Sequence, residues 1–215
     1  LYYAYYLINY FNSYSWEIEQ REEFVATGEV DLKKWTKSQI EAEVTKAFTS
    51  VWSQRAALGE FRTQEFSEFF NVNDFPPQVR PSLRDALSYL FAQHLRNSSF
   101  WSPKESNEVY FLNQTKLLKR PHKLKNKQLK SEAIHPLAKM SFVLHDLANW
   151  HKGSRSWQAY TDALVTNVSS LNQHFQLESA KQNNILFLQK MIKKTKANPW
   201  MGRAYDELAR TVMST

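Results

Sequence analysis

Apolar residues recur at three- and four-residue steps along most of this 215-residue chain, and two-residue alternation is scarce. A strand would place every second side chain on one face, whereas a helix places residues three and four apart together. The spacing therefore predicts an all-α fold, with helical hairpins stacked as a bundle or TPR-like superhelix. The strongest single segment is 31–58, where Thr36 and Gln39 have capping-box spacing and Ile40, Val44, Phe48, Val51 and Trp52 follow in helical register. Gly59 stands where a helix end favours a left-handed residue.

The opening, Tyr2 to Phe11, reads as a helix with Tyr6, Leu7, Tyr10 and Phe11 on one face, and 12–28 reads as mostly helix and loop. A short helix is expected at 63–70, and the Pro76-Pro77 region is a connection. Pro81 suits the first turn of a helix carrying Leu83, Leu87, Phe91 and Leu95. Four further helices are expected near 136–151, 155–175, 178–196 and from Asn198-Pro199 onward, the last with Ala204, Leu208 and Val212 inward. Their short connections imply antiparallel neighbours. Three regions follow: an N-terminal helical subdomain at 1–100, an irregular basic connection at 101–133, and a helical-repeat-like subdomain at 134–215.

Composition narrows the chemistry. With no cysteine, thiolate metal sites, disulfides and cysteine nucleophiles are excluded. The four glycines are too far apart to form a phosphate-binding turn. The Leu1 to Phe11 stretch contains five tyrosines and is too short and polar to span a bilayer; it also lacks the basic start of a signal peptide. Because the chain opens on Leu1, it reads as a mature chain or a piece excised from a longer one.

The formal charge of +7 has a single source. Lys116, Lys119, Arg120, Lys123, Lys125, Lys127 and Lys130 lie within fifteen residues that hold no acid, and the remaining 21 bases match the 21 acids. This cluster is the candidate contact for an anionic partner. No aromatic side chain interleaves it and Pro121 interrupts it, so the expected form is a solvated, mobile loop in the middle of the chain.

Candidate catalytic constellations are sparse. Glu132-Ala133-Ile134-His135 matches one Glu-x-x-His element, but a di-iron bundle needs two, and Pro136 follows directly. His145, Asp146 and His151 are spaced for different faces of one helix. Asp85, His94 and a serine could compose a hydrolytic triad only with a nucleophile elbow, which is missing. Asn-x-Ser/Thr sites at Asn97, Asn113 and Asn167 matter only in a eukaryotic secretory setting. No cofactor, metal or catalytic residue is expected.

The tyrosine-rich start, the Trp16 to Arg21 stretch, Asp31-Leu32-Lys33-Lys34-Trp35, and Arg80-Pro81-Ser82-Leu83-Arg84-Asp85-Ala86-Leu87 occur in an order that resembles the N-terminal helical region of large bacterial alpha-2-macroglobulin-like proteins. The closing helix, with Asn198-Pro199 and Ala204-Tyr205 to Leu208-Ala209, is similar to the repeat-like helices of that region. Arg84 and Ala86 depart from the aromatics expected there. The resemblance implies a non-catalytic scaffold or interaction module of a cell-envelope or periplasmic protein, with a parent that traps proteases. Its partners would be other domains of the same polypeptide or another protein. The reactive thioester of such parents needs a cysteine, so it does not lie in this chain. From a different class, the alternative is a helical nucleic-acid-binding protein using 116–130; a third is an enzyme with a helical metal or lipid site.

Overall fold

A computed structural model describes residues 1–21, 31–69, 75–119 and 124–214. Among these residues the fold is all-helical, and the β-type pairing is a single isolated bridge between Arg62 and Ser82. The helices are α1 (Tyr2–Glu19), α2 (Lys37–Trp52), α3 (Arg55–Leu58), α4 (Leu83–Arg96), α5 (Pro103–Glu108), α6 (Gln114–Lys119), α7 (Pro136–Gly153), α8 (Trp157–Asn172), α9 (Glu178–Lys194) and α10 (Met201–Met213). Short 3-10 turns occupy Leu32–Lys34, Thr63–Phe66, Ser98–Phe100, Val109–Phe111 and Asn126–Lys130.

Reciprocal capping boxes start three of the helices. At α2, Thr36 N donates to Gln39 Oε1 at 2.9 Å while Gln39 N donates back to Thr36 Oγ1. Ser82 with Asp85 does the same for α4, and Ser102 with Glu105 for α5, where Pro103 supplies a first residue with φ already set. Pro81 thus precedes the cap of α4 instead of occupying its first turn, because Ser82 can accept the orphan N–H of Asp85 and proline can offer no side-chain acceptor.

α7 is the centre of the packing. Leu137, Met140, Val143, Leu144 and Leu147 are buried, as the periodicity predicts, and so are Lys139, Ser141, Ala148 and His151 around the rest of its circumference. A helix buried on most sides has neighbours on most sides. Here α4 and α8 are the chief ones. α1 packs on α2, α9 on α10, and α10 also reaches α8. The buried cluster runs through all three predicted regions, from Leu7 and Phe48 through Leu118 and Leu129 to Leu144 and Leu171. Aromatic rings fill its N-terminal half: Phe48 stacks on Phe91 at 5.0 Å and Trp52 meets Phe91 edge-on at 6.1 Å.

Local departures from expectation have physical reasons. α1 continues to Glu19 with a break at Tyr14, and its inward residues are Ala4, Leu7, Phe11 and Ile18. Tyr6, expected on that face, points outward and is 66% exposed. The 31–58 helix begins only at Lys37 and gives way at Ser53 to the separate α3. Gly59 has φ −68°, so it is not a left-handed terminator. Its missing side chain serves a close approach: a Cβ there would lie 2.5 Å from Trp150 Cζ2. The 63–70 segment is a 3-10 turn over Thr63–Phe66, and Phe70 lies outside the described residues. In α10, Val212 is half exposed because Thr211 takes the inward position, its hydroxyl donating to Glu207 O and accepting from Asn172.

Where a basic loop is predicted, the described residues form α6 and the Asn126–Lys130 turn; 120–123 lie outside them. No helix among the described residues is long and apolar enough to cross a membrane.

Candidate functional site

The groups with most chemical potential are buried carboxylates. Asp85 and His151 are 0% and 1% exposed, and His151 Nε2 lies 2.7 Å from Asp85 Oδ1. The other oxygen, Oδ2, accepts from Ser82 N at 3.0 Å and from Ser82 Oγ at 2.6 Å. A serine, an aspartate and a histidine therefore meet, but with the carboxylate in the middle. Nucleophilic catalysis needs the imidazole in the middle, facing the hydroxyl proton. Here the hydroxyl proton is held by Asp85, and the constellation is a helix cap tied to α7. His94 is elsewhere, against Phe48 and Phe100; burial, with Lys139 nearby, lowers its pKa to about 4.

Two further aspartates each hold a pair of arginines. Asp162, 0% exposed, accepts from Arg80 Nε at 3.0 Å, from Trp200 Nε1 at 2.9 Å and from Arg203 Nη1. The Arg80 guanidinium is also layered between the rings of Phe75 and Tyr89, 3.8 Å from each centroid. This joins the approach to α4, the body of α8 and the start of α10. Asp146 binds Arg55 Nε at 3.0 Å and Arg84 Nη2 at 2.7 Å, with Arg84 over the Trp150 ring. Partners that cancel charge in this way satisfy what burial would otherwise penalise.

The Glu132-x-x-His135 element is used for capping. His135 Nδ1 accepts from Leu137 N at 3.0 Å, and Nε2 lies 2.9 Å from Glu105 O. Both ring nitrogens are therefore engaged, and Glu132 is exposed. His145 turns inward, where burial lowers its pKa to about 4, with the backbone at Leu118 and Leu117 opposing the shift. Among the described residues, no group of three or more His, Asp or Glu side chains is placed to hold a metal ion. Of the Asn-x-Ser/Thr sites, Asn167 is fully buried and donates to Leu117 O.

The basic cluster divides between two supports. Lys116 and Lys119 are exposed on α6, which rests on α7, α8 and α9 through Leu117 and Leu118. Lys125, Lys127 and Lys130 are exposed around the Asn126–Lys130 turn, which rests on α2 and is pinned by buried Leu129. Among the described residues none of these five pairs with a carboxylate; Arg120 and Lys123 lie outside them. Directly before α6, Tyr110 and Phe111 are 83% and 87% exposed.

Two aromatic surfaces escaped the sequence reading. On α1, Tyr2, Tyr3, Tyr5, Tyr6, Tyr14 and Trp16 are exposed by 48% to 78%. Beside them, Tyr2, Tyr5, Phe69, Phe75, Arg80 and Tyr89 help line a cleft of about 570 Å³. The signal was present in the tyrosine count, since tyrosines at consecutive positions cannot all share the buried face of one helix.

Compared with protein-family models, with curated proteins and with solved structures, the chain finds no match in any of the three.

Proposed function

We propose that this chain is a non-catalytic helical scaffold whose hairpins stack side by side and whose outer face docks onto another domain of the same, larger polypeptide. The setting is a bacterial cell-envelope protein of the alpha-2-macroglobulin-like type, on its periplasmic or extracellular side. The resemblance in the blocks from Tyr2 to Leu87 supports that setting.

The observation that carries the docking role is the aromatic face of α1. Tyrosine and tryptophan offer large, rigid contact area with a polar tip, and they are enriched at the energetic centres of protein interfaces. α1 carries no lysine or arginine, so nothing on it repels a neutral or basic protein surface or attracts an anionic one. The carboxylates that could have served chemistry support the same reading, for Asp85, Asp146 and Asp162 are each held by cross-links between helices.

The test is a binding measurement between this chain and the separately expressed remainder of its reading frame. Saturable binding that weakens at least about tenfold in a Tyr6→Ser, Trp16→Ser variant is expected, one such anchor being worth ~2 kcal/mol. Absence of binding, or equal binding by the variant, would overturn the proposal.

A further inference from the structure

Tyr110 and Phe111 are unusual because they are the exposed tip of an anchored turn. Val109 is buried and Leu112 half-buried on either side of them, so the Val109–Phe111 turn is fixed to the core while both rings stand in solvent. Just beyond, α6 places Lys116 and Lys119 three residues apart, hence on one face. Four residues separate Phe111 from Lys116, so their Cα atoms lie at most about 18 Å apart. Upstream, Glu105 caps Ser102 and Glu108 lies 3.7 Å from Lys104, while downstream Glu132 is exposed two residues after Lys130. Among the described residues neither α6 lysine makes an ion pair, and Lys125, Lys127 and Lys130 add to the positive field further along.

An exposed aromatic tip within that reach of unpaired positive charge fits an anionic surface with an apolar interior. Two features select a lipid bilayer over a nucleic acid. Successive side chains of a 3-10 turn project about 120° apart, so the two rings splay and cannot form the parallel platform on which successive bases stack. Six of the seven cations of the cluster are also lysines, Arg120 being the exception. An ammonium is a hydrated point charge suited to a diffuse field of headgroups, whereas paired recognition of a phosphate favours the arginine fork. The aromatic face of α1 differs in this respect, having no basic residue on the helix.

We propose that the 110–119 edge is a peripheral membrane-contact surface: Phe111 and Tyr110 enter the headgroup region of an anionic bilayer, and Lys116 and Lys119 hold its anionic lipids. This site is separate from the α1 face, and its test does not depend on the docking role.

The experiment is co-sedimentation of the whole chain with phosphatidylglycerol-containing vesicles and with pure phosphatidylcholine vesicles. Binding to the anionic vesicles is expected, weakening about fivefold for each of Lys116→Gln and Lys119→Gln and about tenfold for Tyr110→Ser with Phe111→Ser. These side chains are exposed, and an unchanged circular dichroism spectrum will show that each variant is folded. In a Phe111→Trp variant, brominated lipid should quench the added fluorescence. Equal binding to both vesicles, or anionic binding that survives loss of both rings, would overturn the proposal. So would binding to a single-stranded oligonucleotide, in place of vesicles, that depends on the same residues.

Discussion

His151 on α7 meets Asp85 at the start of α4 across 2.7 Å, and the same carboxylate caps α4 through Ser82. One side chain thus fixes both where α4 begins and how it sits on α7. Removing it strands a buried imidazole and takes away the carboxylate half of the α4 capping box. Asp85→Ala should cost about 3–5 kcal/mol in urea denaturation. His151→Phe, which leaves the Ser82 cap in place, should cost clearly less.

Acid should weaken the fold through histidines. His94 and His145 have pKa values lowered from 6.5 to about 4, chiefly by burial. Each is neutral when folded and takes up a proton near 6.5 when unfolded. Stability should therefore be flat in this contribution above 6.5 and fall as pH drops from there toward 4, by about 3 kcal/mol for each histidine. Glu41, whose carboxyl is pushed up by burial, opposes part of this loss at the acid end. Urea midpoints across this range test the point, and His94→Phe should flatten the curve.

Asp162 should behave as a cross-link. Asp162→Ala leaves Arg80, Arg203 and the Trp200 indole without their common acceptor, and about 3–5 kcal/mol of destabilisation is expected. Arg203→Ala, from a more exposed partner, should cost about 1–2 kcal/mol. A double-mutant cycle between Arg80 and Asp162 should show coupling well outside experimental error.

Gly59 tests packing beside His151, at the C-terminal end of α7. Gly59→Ala drives a methyl toward Trp150 Cζ2, and the overpacking should cost about 1–3 kcal/mol by thermal or urea unfolding. Combining it with Trp150→Leu should cost less than the sum of the two single changes.

These sites show how far the sequence could be read. The faces of α7 and α8 were legible because Leu137, Met140, Val143, Leu144, Leu164 and Leu171 repeat with helical spacing and are all buried. The Thr36–Gln39 cap was legible because both partners lie within one turn. Asp85–His151 and Asp162–Arg80 were not, since their partners are 66 and 82 residues apart and no local pattern links them. Tyr6 was misread for another reason. Aromatic spacing marks a helix but does not say which of two aromatic faces is inward; Ala4 and Phe11, packing on α2 and its neighbours, settle that only in three dimensions.

The proposed docking role requires the aromatic face of α1 to be covered by another domain of the proposed larger polypeptide. Hydroxyl-radical footprinting of Tyr6 and Trp16, in this chain alone and within its full reading frame, tests it most directly. Strong labelling of the isolated chain, with at least about tenfold protection in the full polypeptide, is the expected result. Equal labelling in both would contradict it.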